Sequence, residues 1–195
     1  MSTAEKICYS PAEYLKRERN AEYKSEYFNG EIVAMAGASR AHVLLVSHLV
    51  RFLGNQLDGS GCDVYSSDLR VKVDATGLYT YPDVVVACGE PRFEDDHVDT
   101  LLNPTMIIEV LSDSTEAYDR GKKFAHYRSI PSLQEYVLVA QNEVSVEWFT
   151  RQADGQWILS EQNDVAGTIQ LRSVECNVSM ADLYNRVTFE EQQKA

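Results

Sequence analysis

Two short runs constrain this chain more than any other feature: Tyr81-Pro82-Asp83-Val84-Val85-Val86 and Met106-Ile107-Ile108-Glu109-Val110-Leu111. Each is a stretch of strand-forming apolar residues interrupted by a single carboxylate. A carboxylate in a buried sheet must shift its pKa, find a cationic partner or bind a metal, because its bare charge is costly to desolvate. Two such acids on strands lying side by side would form an oxygen-donor site suited to Mg²⁺ or Mn²⁺. The chain is therefore expected to fold around a sheet whose interior carries chemistry.

A length of 195 residues with 44% hydrophobic content suits one domain over 1–195, with its core at about 10–187. No apolar run reaches the length of roughly 18 residues that a membrane span needs, so no membrane association is expected. Met1 to Lys6 is polar and lacks the apolar core of a signal peptide. Cys8, Cys62, Cys88 and Cys176 are widely spaced, which argues against a zinc cluster. Their spacing fits reduced thiols in a cytoplasmic protein, with Cys88 as a small core residue. The net charge of −12 counts against a simple nucleic-acid binder. Residues 131–195 hold four basic and ten acidic side chains, against fourteen and twenty in 1–130. A polyanion site therefore belongs in the first two thirds.

Local patterns supply the elements. Ser10-Pro11-Ala12-Glu13 reads as a capped helix start running to about Asn20. Asn29-Gly30 supplies the turn of a hairpin over 26–33. Ser39 can cap a helix to about Leu57, with Val43, Val46, Leu49, Val50 and Leu53 at helical spacing. Strands are expected near 62–66, 69–74, 82–88 and 104–111, separated in part by an irregular acidic stretch over 89–104. Asp113 to Glu116 resembles a capping box opening a helix to about Arg128, which Pro131 ends. Strands over 134–140, 144–150 and 156–162 then form a meander, and a short helix lies near 180–185. The fold class is α/β (α+β): a mixed sheet flanked by helices, with a C-terminal β-meander.

Asp119, Lys123 and Tyr127 are spaced i, i+4, i+8 and so share one helix face. Alone, Asp119 and Lys123 would be an ordinary solvated ion pair. Their position after the Glu109 strand gives them a second meaning, since that face can look back on the strand's acid. His42 lies on the same helix face as Val46, Leu49 and Leu53, a place where a histidine is commonly a hydrogen-bonded core residue. Glu26 by itself is an ordinary strand acid. His48, His97 and His126 show no ligand spacing. Ser112, Ser114 and Thr115 lack a nucleophile elbow, and there is no phosphate-binding glycine loop.

Taken together, Pro82-Asp83, Glu109-Val110-Leu111-Ser112, Asp119, Lys123 and Tyr127 resemble the PD-(D/E)xK nuclease superfamily. More narrowly they resemble its bacterial Uma-type branch of restriction-endonuclease-like proteins. The likeness extends to Glu26-Tyr27-Phe28-Asn29-Gly30-Glu31, His42 and Gln134-Glu135-Tyr136-Val137-Leu138-Val139. It implies a restriction-endonuclease-like core with Asp83 and Glu109 as ligands of Mg²⁺ (or Mn²⁺). It also implies Glu26 as an additional acid and His42 approaching the same pocket. The superfamily lysine normally sits two residues after the strand glutamate, where this chain has Leu111. The Uma-type branch places it on the following helix, at Lys123 here.

The resemblance thus implies metal-dependent hydrolysis of a DNA phosphodiester. The expected catalytic set is Asp83, Glu109, Lys123, Glu26 and His42, with Asp119 and Tyr127 in support. Lys123 would orient the attacking water and stabilise charge on phosphorus. Two-strand cleavage would call for a homodimer. Two alternatives stand beside it: a non-catalytic nuclease scaffold that regulates a partner, and a metal-dependent hydrolase of a small phosphate.

Overall fold

A computed structural model describes residues 7–189. Helix α1 (Pro11–Glu18) begins at a full capping box: the Ser10 hydroxyl accepts from the Glu13 amide and the Glu13 carboxylate accepts from the Ser10 amide. Strands β1 (Ser25–Phe28) and β2 (Glu31–Ala34) form the expected hairpin. Its turn holds Asn29 at φ 49° and Gly30 at φ 85°, the left-handed pair that an Asn-Gly turn supplies cheaply. Helix α2 (Arg40–Leu57) follows its Ser39 cap. Leu45, Leu49, Leu53 and Leu57 are its buried stripe, whereas Val43 points outward.

Next come β3 (Cys62–Ser66), β4 (Arg70–Val73), β5 (Leu78–Thr80), β6 (Val84–Cys88), β7 (Thr100–Leu101) and β8 (Met106–Leu111). A helical segment in three parts follows: α3 (Glu116–Tyr118), a π-helical turn (Asp119–Lys123) and α4 (Phe124–Tyr127). The chain closes with β9 (Glu135–Ala140), β10 (Val146–Arg151), β11 (Trp157–Gln162), β12 (Thr168–Leu171), β13 (Cys176–Ser179) and α5 (Met180–Leu183).

The principal sheet has the order β11-β10-β9-β8-β6-β3. Only β8 and β9 run parallel, because the three-part helical segment carries the chain back across the sheet between them. A second sheet, β2-β1-β5-β4-β7, and the β12-β13 hairpin complete the set, making a mixed α+β fold. The central strands of the principal sheet, β6, β8 and β9, are buried on both faces. Val84, Val86, Met106, Ile108, Val137 and Val139 pack with the leucine stripe of α2, α5 and the β12-β13 hairpin. Val85, Ala87, Ile107, Leu111, Tyr136 and Leu138 pack with Phe124, Tyr127 and the core of the second sheet. Burial of each α2 leucine contributes about 2 kcal/mol from apolar area before chain entropy is set against it.

Several expectations need correction. Pro82 and Asp83 precede β6 instead of opening it, because Asp83 uses its side chain where a strand would use its backbone. The capping box at Asp113 does not form: the helical segment starts at Glu116, and Asp113 accepts from the Asn142 side chain. Lys123 is thus eight residues into the segment, not three full α-turns into one helix. Strands β5, β7, β12 and β13 add to the expected set; all four have two to four residues. The four cysteines are not all free thiols. Cys62 and Cys88 stand opposite each other in the β3–β6 register and are joined by a disulfide, leaving Cys8 exposed and Cys176 buried as thiols. Among the described residues, no helix is long and apolar enough to cross a membrane.

Candidate active site

The site forms where β8 ends, β6 begins and α2 enters. Strand β6 pairs with β8 through Val84↔Ile108 and Val85↔Ile107. One step further along that antiparallel register sets Asp83 opposite Glu109. Glu109 alternates with Ile107 and Leu111, and Asp83 with Val85 and Ala87, so both acids belong to the face that carries Phe124 and Tyr127. The Asp83 carboxylate is held at both ends. Its Oδ2 accepts from the Val110 amide at 2.7 Å, and its Oδ1 lies 2.9 Å from His42 Nε2. His42 comes from the first turn of α2, on the other side of the sheet, and reaches the acid over the end of β6.

Lys123 is the centre of the cluster. Its Nζ is 2.9 Å from Glu109 Oε1, 3.3 Å from Glu26 Oε1 and 3.4 Å from Asp119 Oδ1. Glu109, Asp119 and Lys123 are only 4%, 3% and 5% exposed, which removes the solvated ion-pair reading of the Asp119–Lys123 spacing. Tyr127 donates to Glu109 Oε1 at 2.8 Å, and Thr80 donates to Glu26 Oε1. Tyr136 fixes the backbone of the π turn through the Asp119 carbonyl at 3.1 Å.

The π turn explains how three helix positions face one acid. In an α-helix, residues four apart drift by about 40°, so Asp119, Lys123 and Tyr127 would fan out over about 80°. A π turn holds more residues per turn, so the same four-residue step falls short of a full revolution and drifts the other way. The two drifts offset each other, so Lys123 and Tyr127 both reach Glu109 while Asp119 stays beside Lys123.

Burial pushes the Glu109 carboxyl up to about 8, with Lys123 opposing the rise and Asp119 and Asp83 adding to it. Burial also raises Asp119, again against the pull of Lys123. Burial alone would lower Lys123, but Glu109, Glu26 and Asp119 together hold it protonated, well above the usual lysine range. Tyr127 is raised far above the usual phenol range by burial and by Glu109. The cluster thus carries three acids on one ammonium, with Asp83 beside them. Such an excess of carboxylate has room for a cation to neutralise it.

Among the described residues, no three His, Cys, Asp or Glu side chains form a ready-made metal cage. Mg²⁺ does not require one: it commonly takes one or two carboxylates and fills its remaining positions with water and substrate phosphate. An opposed Asp83/Glu109 pair fits that donor set.

A model of the Uma2 family, described as "Putative restriction endonuclease", matches residues 11–182, a span that includes every residue of the cluster. The chain belongs to the Uma2 family. Two proteins of Synechocystis sp. (strain ATCC 27184 / PCC 6803 / Kazusa) are similar to it. The uncharacterized protein slr1290 is 37% identical over 180 residues, covering 92% of this chain and 93% of that protein. The uncharacterized protein sll1609 is 42% identical over 150 residues, covering 77% and 85%. A crystal structure of a "putative nuclease belonging to DUF820" from Anabaena variabilis ATCC 29413 superposes with a TM-score of 0.71 at 20% identity, over 89% of this chain and 96% of that one. At that identity the likeness shows the fold alone.

In this Uma2 chain the structure brings Asp83, Glu109, Lys123, Glu26, His42, Asp119 and Tyr127 into one connected set. Sequence reasoning missed Thr80 and the Val110 amide. Thr80 sits on an unanticipated three-residue strand, and a backbone amide leaves no trace in composition.

Proposed function

We infer that this Uma2 protein is a metal-dependent endonuclease that hydrolyses DNA phosphodiester bonds. The carrying observation is the Lys123 ammonium, buried within 2.9–3.4 Å of Glu109, Glu26 and Asp119 at the sheet end where Asp83 stands. Asp83 and Glu109 would hold Mg²⁺ or Mn²⁺, which when bound polarises the phosphate and makes its water more acidic. Lys123 orients the attacking water and stabilises the negative charge that grows on phosphorus. Glu26 and Asp119 hold Lys123 in place, and Tyr127 fixes Glu109 for its ligand role. His42 anchors Asp83 and stands ready to pass a proton at Nε2. Two such centres in a two-fold homodimer would cut both strands, an arrangement that light scattering in solution reads directly. DNA as substrate would put the working protein in the cytoplasm, where thiol reductants oppose the Cys62–Cys88 bond.

The test is cleavage of supercoiled and single-stranded DNA with Mg²⁺ or Mn²⁺, with chelator and with Asp83→Ala. Cleavage is expected only with metal and only in the wild type; cleavage that survives in Asp83→Ala would be a contaminant's. The net charge of −12 favours a second reading, a nuclease scaffold retained to bind a partner. Wild-type protein that binds metal but leaves every DNA intact would select it.

A further inference from the structure

The β1–β2 hairpin meets the Lys123 segment at two neighbouring points. Glu26 Oε1 lies 3.3 Å from Lys123 Nζ. Two residues further along β1, the Phe28 ring meets the His126 ring of α4 in an edge contact, with centroids 4.7 Å apart. Both contacts come from one face of the hairpin, because residues two apart on a strand point the same way. Both also come from one side of the helical segment, where Lys123 and His126 are three residues apart. Phe28 therefore sits at the edge of the acid cluster, about 7 Å along the strand from Glu26.

Phe28 is 42% exposed, and Val33, which faces Glu26 across the hairpin, is 60% exposed on the same side. The other side of the hairpin is spent on the core, where Tyr27 and Ile32 pack with Tyr14 and Tyr79. His126 backs the Phe28 ring without offering a charge. Its Nδ1 is buried with no hydrogen-bond partner among the described residues, and burial lowers its pKa against the pull of Glu26, so the ring is neutral at pH 7. An exposed phenylalanine on its own carries no meaning; this one stands beside the ammonium that would meet a phosphate. Whatever covers it has to be flat and uncharged, because the carboxylates of Glu26 and Glu31 share its hairpin face. A nucleobase has such a face, and in a single strand that face is free to stack. In a duplex the bases are already stacked on one another, and the outer surface offered to a chain of net charge −12 is lined with phosphates.

We propose that Phe28 is a stacking platform for an unpaired nucleobase whose phosphate is presented to Lys123, which makes single-stranded or locally opened DNA the substrate class of this site. The proposal rests on the nuclease reading for the identity of its ligand. A nucleotide bound in this way is held at both ends, its base on the Phe28 ring and its phosphate at the cluster, and the hairpin that supplies Glu26 also supplies the platform.

Phe28→Leu keeps an apolar side chain and removes the ring, whereas Phe28→Trp supplies a larger ring. Binding is read by anisotropy of a fluorescein-labelled single-stranded oligonucleotide in calcium buffer, beside its matched duplex and a strand of the same length that lacks bases. Phe28→Leu should weaken binding of the single strand about tenfold, within the worth of one base on an aromatic ring. It should leave the duplex and the base-free strand unchanged, and Phe28→Trp should hold the single strand at least as well as wild type. Unchanged single-strand affinity in Phe28→Leu would overturn the proposal, as would an equal loss on all three ligands or an equal loss in Phe28→Trp. A wild type that binds no single strand would overturn it too. So would a lower mass of Phe28→Leu in light scattering, which would assign the ring to a contact between copies of the chain. If the Phe28-dependent preference appears while the wild type never cleaves DNA with Mg²⁺ or Mn²⁺, the nuclease reading fails and the stacking site stands. Cleavage by a wild type whose single-strand binding ignores Phe28 would do the reverse.

Discussion

This molecule carries two clusters of interlocked charges, and they are built on opposite accounts. Around Arg19, two guanidinium groups meet two carboxylates. Arg19 donates to both Asp95 and Asp99, at 2.8 and 2.7 Å. Arg70 Nη2 lies 2.9 Å from Asp99 Oδ1, an ion pair by distance whose angle does not make it a hydrogen bond. Around Lys123, one ammonium meets three carboxylates, with Asp83 nearby as a fourth. The Arg19 cluster is balanced and half-open to water, and its acids are held below the usual carboxylate range. The Lys123 cluster is unbalanced and mostly buried, and its acids Glu109 and Asp119 are raised. A balanced cluster fastens α1 to the segment before β7; an unbalanced one stays poised for charge that arrives from outside.

The largest expected effect comes from removing the central cation of each cluster. Lys123→Ala should cut DNA cleavage by about 10²–10³-fold, the usual cost of losing a group that stabilises transition-state charge. It should also lower the melting temperature, because three buried carboxylates lose their shared partner. Arg19→Ala should leave cleavage unchanged and lower the melting temperature modestly, since its contacts are partly solvated. Cleavage kinetics with a thermal melt on both variants checks this. Equal loss of activity in the two would break the distinction between them.

Next in size is the disulfide, which tests whether the site depends on the far end of its own strand. Cys88 ends β6 and Asp83 precedes it, so the bond and the site lie at opposite ends of the strand. The bridge spans a sequence separation of 26. Closing a loop of that size is worth about 3.5 kcal/mol in the chain-entropy account. Reduction with dithiothreitol should therefore lower the melting temperature by roughly ten degrees. Cleavage at ambient temperature should persist, as should metal binding.

The two clusters also differ in how far sequence could reveal them. Asp83 and Glu109 are legible because a carboxylate inside an apolar strand run has no bland purpose, and Lys123 because its helical spacing lines it up with Asp119 and Tyr127. The Arg19 cluster is not legible. Its members lie about eighty residues apart and meet only because the acidic stretch over 89–104, read as an irregular loop, folds against α1. The π turn leaves no signature either, because an i, i+4, i+8 pattern is equally compatible with a plain α-helix. The Cys62–Cys88 bond needed the pairing of β3 with β6: once Val64 faces Val86, the antiparallel register sets 62 against 88. Elements with long periodic patterns, such as α2 and β8–β11, were readable, and the four-residue β1 and β2 were marked by their Asn-Gly turn; β5 and β7, of three and two residues, carry too few side chains to show a period.

The smallest effect is the sharpest, because the same chemical change should act with opposite sign in the two clusters. Arg19 holds the Asp99 carboxyl well below the usual range, against burial and with help from Thr100 and Arg70. Folding therefore favours its charged form. Its contribution is fully present above the unfolded carboxylate pKa of about 3.9 and is lost as pH falls through the lower folded value. Asp119 runs the other way: burial raises it, so folding at neutral pH pays to keep it charged, and acid relieves that cost. Asp99→Asn should then lower the melting temperature by a few degrees at pH 7, and the difference from wild type should vanish in strong acid. Asp119→Asn should raise the melting temperature at pH 7, with the gain shrinking as wild-type Asp119 itself takes up a proton, while cleavage falls because Lys123 loses one of its holders. Melting curves of the three proteins from about pH 7 to pH 2 would read both signs at once. If Asp119→Asn instead loses stability as Asp99→Asn does, the Lys123 cluster is a balanced structural tie like the other, and its surplus of negative charge is no longer an argument for a cation.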